Sequence, residues 1–127
     1  MEKKIEREIK EVFKKNGAGA AYLFGSRARK DSGPLSDYDF AVYFKEDGNF
    51  FEKKISVMKE LQDILKTDNV DVVILNSLEQ PELAFTIISE GEVLLEEEPF
   101  KIQIEGKIMN DYFDFQFGLR KYNLTRA

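Results

Sequence analysis

Residues 37–44, DYDFAVYF, place two carboxylates on one face of a segment that is otherwise apolar. Strict alternation is typical of a β-strand, because successive side chains of a strand point to opposite faces of a sheet. Asp37 and Asp39 therefore share one face, and the other face carries Tyr38, Phe40, Val42 and Phe44. The apolar face has to be covered by a second layer, and the carboxylates need a compensating partner, since burying an unpaired charge is costly.

The rest of the chain alternates between helical and strand periodicity, without an internal repeat or a linker. Helices are predicted over 2–15, from 26, over 51–65, over 81–90 and in the C-terminal segment, and strands over 20–24, 37–44, 70–75 and 93–95. This order predicts an α/β (α+β) fold in which flanking helices cover a small mixed β-sheet. With 127 residues, we expect 1–127 to form a single domain.

The composition excludes several kinds of chemistry. The chain has no cysteine and no histidine, which removes disulfides, thiolate nucleophiles, zinc sites built on those residues and imidazole bases. The net charge of −5 argues against clamping a nucleic-acid backbone, so no direct nucleic-acid binding is expected. The charged segment MEKKIEREIK and the short apolar runs predict neither a signal peptide nor a membrane span, and we expect a cytoplasmic protein.

Three aspartates form a candidate metal site. Asp37 and Asp39 point the same way from one predicted strand, and Asp71 interrupts the apolar run NVDVVIL of the next. Three carboxylates on one sheet face would repel one another strongly. A divalent cation removes that repulsion, and Mg²⁺ is typically held by one or two carboxylates together with substrate phosphates. The sequence therefore predicts a magnesium site on this face.

A Gly-Ser turn with neighbouring cations forms a candidate phosphate site. Gly25 lets backbone amides approach an anion closely, and a helix that starts at Ser26 adds a favourable dipole. The Ser26 hydroxyl can donate to a phosphate oxygen, and Arg29 or Lys30 could neutralise the remaining charge of a triphosphate. Each cation of this basic cluster, which includes Arg27, fits a solvated surface role equally well.

These motifs carry a family resemblance. Gly25-Ser26, ten residues, then Asp37-Tyr38-Asp39 resembles the signature of the DNA polymerase β nucleotidyltransferase superfamily, and Asp71 falls where its third carboxylate is expected. The GSRAR stretch and the closing NDYFDFQFGLRKY are similar to minimal nucleotidyltransferases (MNT), the MntA-type antitoxins of HEPN/MNT toxin–antitoxin systems. Lys30 stands where these antitoxins usually have glycine. The resemblance implies a polymerase-β-like nucleotidyltransferase fold.

The resemblance also implies a mechanism. The enzyme would bind ATP with two Mg²⁺ ions and transfer AMP, releasing pyrophosphate. Asp37 and Asp39 would bridge both metals, while Asp71 would hold the catalytic ion and help to deprotonate the attacking hydroxyl. In the family the acceptor is a tyrosine of the HEPN toxin, and the modification silences the toxin. ATP and a cognate HEPN-family toxin are therefore the implied partners.

Two other functions remain open on the sequence. One is nucleotidyl transfer to a small hydroxyl compound of the aminoglycoside type, although such enzymes usually carry a larger second domain for the acceptor. The other is a non-catalytic module that neutralises a toxin by contact alone. The sequence does not determine the acceptor, the number of AMP units, the base preference, the phosphate-binding cation or the oligomeric state.

The C-terminal segment, about 100–127, carries more aromatic side chains than one helix can bury on a small domain. Tyr112 and Phe115 fall on the stripe of Ile104 and Ile108 and are predicted to pack on the domain. Phe113 and Phe117 lie off that stripe, and we expect them to meet a partner, since exposed apolar patches usually mark interfaces.

Overall fold

The structure, a computed structural model, describes residues 2–29, 33 and 37–121. Its helices are α1 (Lys3–Lys15), α2 (Ser26–Arg29), α3 (Phe50–Leu65), α4 (Pro81–Glu90) and α5 (Phe100–Lys121). Its strands are β1 (Ala18–Phe24), β2 (Tyr38–Phe44), β3 (Val70–Ile74) and β4 (Glu92–Glu96). The order of elements predicted from periodicity is confirmed. Lys30 lies outside the described residues, as do residues 122–127 of the C-terminal segment.

The four strands form one mixed sheet in the order β3-β2-β1-β4. Strand β1 runs antiparallel to both β2 and β4, whereas β2 and β3 are parallel and are connected through α3. The register pairs Phe24 with Asp39 and Asp39 with Asp71. The end of β1 and the beginnings of β2 and β3 therefore meet at one edge of the sheet, and the predicted functional residues gather there.

Different helices cover the two faces of the sheet. One face, with Phe40 and Val42 of β2, packs against α1 and α3. The opposite face, with Ala41 of β2 and Val73 of β3, packs against α4 and α5. Because side chains alternate along a strand, Asp39 and Asp71 belong to the α4/α5 face.

The ends of the helices follow local sequence signals. The side chain of Asn49 caps α3 by accepting a hydrogen bond from the backbone N–H of Glu52 at 3.0 Å. Helix α4 has Pro81 in its first turn, where the missing N–H of proline costs nothing, and Gly91 follows its last residue.

A buried tyrosine ties α5 to the sheet. Tyr22 of β1 is fully buried, and its hydroxyl donates to the Glu105 carboxylate at 2.6 Å. Glu105 also lies 3.2 Å from the Lys101 ammonium one turn earlier. Burial, followed by the hydrogen bond and the negative charge of Glu105, raises the pKa of the Tyr22 phenol, so it remains a hydrogen-bond donor. The first half of α5 is thereby held across β1.

The second half of α5, 111–121, has no buried residue. A helix of 22 residues is about 33 Å long, whereas a seven-residue strand such as β1 spans about 23 Å. Tyr112 still packs on α4, with its ring stacked 4.1 Å from that of Phe85, as predicted. The prediction that Phe115 packs on the domain is wrong, because its side chain is 37% exposed.

Among the described residues, no helix has the length and apolar content needed to cross a membrane.

Candidate active site

The fold brings Asp39 and Asp71 side by side. Asp39 is the second residue of β2, Asp71 is the second residue of β3, and the two are direct partners in the parallel register. Asp37 immediately precedes β2, and its negative charge acts on Asp39. Asp39 is partly buried, while Asp37 and Asp71 are exposed. Two neighbouring strands thus supply the three predicted carboxylates to one edge of the sheet.

The three carboxylates interact electrostatically. Burial raises the pKa of Asp39 above the ordinary value for aspartate, and the negative charges of Asp71 and then Asp37 raise it further. The ionised form of Asp39 is therefore disfavoured in the folded chain, as expected for like charges held near one another. A cation placed between these oxygens would reverse the effect.

Within the described residues, no group of three or more acidic side chains is arranged so that it could hold a metal ion by itself. The chemistry of the site nevertheless fits Mg²⁺, because the donors are carboxylate oxygens, and burial together with the charges of Asp71 and Asp37 raises the pKa of Asp39. Mg²⁺ commonly takes one or two protein carboxylates and completes its octahedron with water and substrate phosphates. Asp39 and Asp71 would form the centre of such a site, with Asp37 beside them.

Gly25 is required by its backbone and by its neighbour. It follows the last residue of β1 and has φ +75°, in the left-handed backbone region that residues other than glycine rarely adopt. A Cβ atom at this position would lie 2.6 Å from the Asp39 Oδ2 atom. Helix α2 begins at the next residue, Ser26, and the Arg29 N–H donates to the Gly25 carbonyl at 3.2 Å. The Gly-Ser turn and the second aspartate therefore lie in direct contact.

The basic cluster divides into different environments. The Arg27 guanidinium is half-buried and stands 4.1 Å from the centroid of the Tyr38 ring. Arg29, at the end of α2, is exposed. The Arg27–Tyr38 contact was not predicted, although an arginine after the Gly-Ser turn and an aromatic residue between two aspartates are both visible in the sequence.

A groove of about 450 Å³ lies between α1 and β4 and is lined by residues that include Lys3, Arg7 and Val93. None of the predicted site residues lines it. The candidate active site is identified by the carboxylates at the edge of the sheet, and not by the volume of this groove.

The mixed sheet and the carboxylates at its edge place the chain among the nucleotidyltransferases. More narrowly, it belongs to the polymerase β nucleotidyltransferase family, whose pattern matches residues 7–100. It is 33% identical over 87 residues to a protein of Methanocaldococcus jannaschii that bears the name "Putative protein adenylyltransferase". That alignment covers 68% of this chain and 90% of the relative.

Solved structures show the same fold. A chain of a toxin–antitoxin crystal structure with AMP-PNP superposes with a TM-score of 0.76 at 22% identity, covering 92% of this chain and 94% of that one. A chain of the tri-AMPylated Shewanella oneidensis HEPN toxin in complex with MNT antitoxin gives 0.72 at 22% identity, covering 96% and 95%. The expected polymerase-β-like fold is confirmed.

Proposed function

We propose that this protein is a Mg²⁺-dependent adenylyltransferase that transfers AMP from ATP to a tyrosine hydroxyl of a cognate HEPN toxin and thereby acts as its antitoxin. The observation that carries the proposal lies at the edge of the sheet. Asp39 is the register partner of Asp71, and its carboxylate lies against Gly25 of the Gly-Ser turn. Family membership supports nucleotidyl transfer, and the toxin–antitoxin structures of the same fold support the choice of partner.

The carboxylates are the proposed metal ligands. Asp37 and Asp39 would hold both of two Mg²⁺ ions, and Asp71 would hold the one nearest the acceptor. When bound, Mg²⁺ neutralises the charge of the triphosphate and stabilises the charge that develops on the transferred phosphoryl group. The raised pKa of Asp39 supports this assignment, because a bound cation would stabilise the ionised carboxylate that the site alone disfavours.

The turn at the end of β1 is the proposed phosphate cradle. The Gly25 backbone leaves room for close approach, the Ser26 hydroxyl would donate to a phosphate oxygen, and Arg29 and Lys30 would neutralise the remaining charge. Arg29 is exposed at the end of α2, three residues after Ser26, which supports its assignment to a bound triphosphate.

The transfer step forms one bond and breaks one. The oxygen of the acceptor tyrosine attacks the α-phosphorus of ATP, and the bond from that phosphorus to the bridging oxygen of the β-phosphate breaks. AMP remains on the tyrosine and pyrophosphate leaves. The Asp71 carboxylate would accept the phenolic proton.

The exposed aromatic residues of α5 are the proposed toxin-binding face. Phe113 is 55% exposed and Phe117 is 66% exposed, although the neighbouring Tyr112 packs on Phe85 of α4. Phe113 contacts the edges of Phe85 and Tyr112, so it continues an aromatic cluster out to the surface. Aromatic side chains of this kind are enriched at the centres of protein interfaces.

Two substitutions test the interface. Phe113→Ser with Phe117→Ser should abolish co-elution with the cognate toxin while the circular dichroism spectrum stays unchanged. Phe51→Ser is the matched control, because Phe51 is 71% exposed on α3 and should be dispensable. Retained co-elution of the double variant would defeat the interface assignment.

Transfer itself is tested with ATP labelled on the α-phosphate. Wild-type protein should label the cognate toxin, and Asp39→Asn should abolish the labelling. Asp63→Asn, an equal change of charge on the exposed side of α3, should label normally. If Asp37→Asn/Asp39→Asn still inhibits the toxin as well as the wild type, inhibition occurs by contact and the proposed chemistry is not its cause.

A further inference from the structure

The residue between the two motif aspartates makes a specific contact with α2. The Arg27 guanidinium carbon lies 4.1 Å from the centroid of the Tyr38 ring, well inside the range of a cation–π interaction. Both side chains are partly buried, which strengthens such a contact relative to an exposed one. Tyr38 alternates with its neighbours, so its ring points away from the face that carries Asp37 and Asp39.

The Tyr38 ring is itself held in place. It stacks on Phe40, with centroids 6.3 Å apart and planes at 10°, and Phe40 is fully buried in the core beneath α1 and α3. Ala28, next to Arg27 on α2, packs against the same core. Helix α2 is thus attached to β2 and the core through adjacent residues.

Helix α2 needs these contacts because it is very short. It has four residues, and the Arg29 N–H to Gly25 carbonyl bond closes its single turn. One turn is not stable alone, since the first turn fixes several backbone angles for one hydrogen bond. The position of Ser26 relative to the carboxylates therefore depends on what α2 packs against.

We propose that Tyr38 is a positioning residue for nucleotide binding. By contacting Arg27 of α2, its ring fixes the Gly25–Ser26 turn relative to Asp37 and Asp39. The inference rests on the proposed function, because it assumes that the turn receives the phosphates of ATP. It assigns Arg27 to the placement of α2 and leaves phosphate contact to other cations. An aromatic ring is needed at position 38 for this task, and its hydroxyl is not.

The test measures binding of AMP-PNP with Mg²⁺ by calorimetry, so that it does not depend on AMP transfer. Tyr38→Phe should bind as the wild type does. Tyr38→Leu and Arg27→Met should each weaken binding roughly 2- to 5-fold, the equivalent of a partly exposed cation–π contact. Adding Tyr38→Leu to Arg27→Met should weaken binding no further, because the ring acts through Arg27.

A second cation–π pair provides the control. The Lys53 ammonium lies 5.2 Å from the Phe44 ring at the other end of β2, so Lys53→Met should leave nucleotide affinity unchanged. Circular dichroism of every variant verifies that it is folded.

The possible outcomes separate this inference from the proposed function. Wild-type protein that binds no AMP-PNP overturns both. If the wild type binds but Tyr38→Leu weakens binding further in the Arg27→Met background, Tyr38 does not act through Arg27 and the positioning role is refuted. Wild-type affinity in Tyr38→Leu refutes it as well.

Discussion

Replacing Gly25 by alanine adds one Cβ atom beside the carboxylate that the proposed mechanism needs most. That atom would lie 2.6 Å from the Asp39 Oδ2 atom, where an ordinary contact is at least 3.4 Å. The carboxylate must therefore move by about 0.8 Å. Misplacement of a reacting group by about 1 Å can cost ~100-fold in rate, and we expect Gly25→Ala to lose AMP transfer by about that factor.

The effect on stability should be much smaller. Forcing alanine into the left-handed region costs about 1–2 kcal/mol, and the clash adds little because Asp39 is only partly buried and its carboxylate can rotate. Gly17→Ala is the matched control, since Gly17 has φ +88° and a Cβ there would meet nothing within 4 Å.

Urea unfolding and the rate of toxin labelling are measured on both variants. Both should lose about 1–2 kcal/mol of unfolding free energy. Only Gly25→Ala should lose activity. Equal rates in the two variants would refute the argument that contact between the turn and Asp39 sets the catalytic geometry.

Three further results are expected. Asp39→Asn should raise the melting temperature of the metal-free protein at pH 7 by about 1–4 °C, because solvent screening keeps the gain in unfolding free energy below ~1 kcal/mol. An unchanged or lower melting temperature in calorimetry would contradict the proposed repulsion. Because the folded pKa of Asp39 is raised, stability of the metal-free wild type should fall as the pH rises from about 3.9, the unfolded pKa, through the folded pKa, and Asp39→Asn should flatten that part of the melting profile. Tyr22→Phe should cost about 1–2 kcal/mol in urea unfolding, because the partly buried Glu105 carboxylate loses its donor; a neutral substitution would show that the hydrogen bond does not hold α5.

The helices and strands could be predicted because their signals are local. Strand β2 shows the period of two from which its faces follow, and the Gly-Ser turn ends β1 where a helix then begins. The candidate carboxylates followed from the same alternation, since Asp39 and Asp71 each interrupt an apolar strand.

What the sequence could not supply depends on pairing between distant segments. The register that sets Asp39 beside Asp71 joins two strands that are separated in the chain by α3, and the Arg27–Tyr38 contact exists only once α2 has folded back onto β2. Phe115 was wrongly expected to be buried, because periodicity indicates which side of α5 is apolar but not where the domain beneath it ends.

Whether the carboxylates at the sheet edge hold a divalent cation together with a nucleotide can be measured directly with Mn²⁺, which accepts the same oxygen ligands and is visible by electron paramagnetic resonance. In the presence of AMP-PNP, wild-type protein should remove more Mn²⁺ from the free pool than the nucleotide does alone. Asp39→Asn should lose that additional binding, and Asp63→Asn should keep it. Equal Mn²⁺ binding by wild type and Asp39→Asn would contradict the proposed metal site.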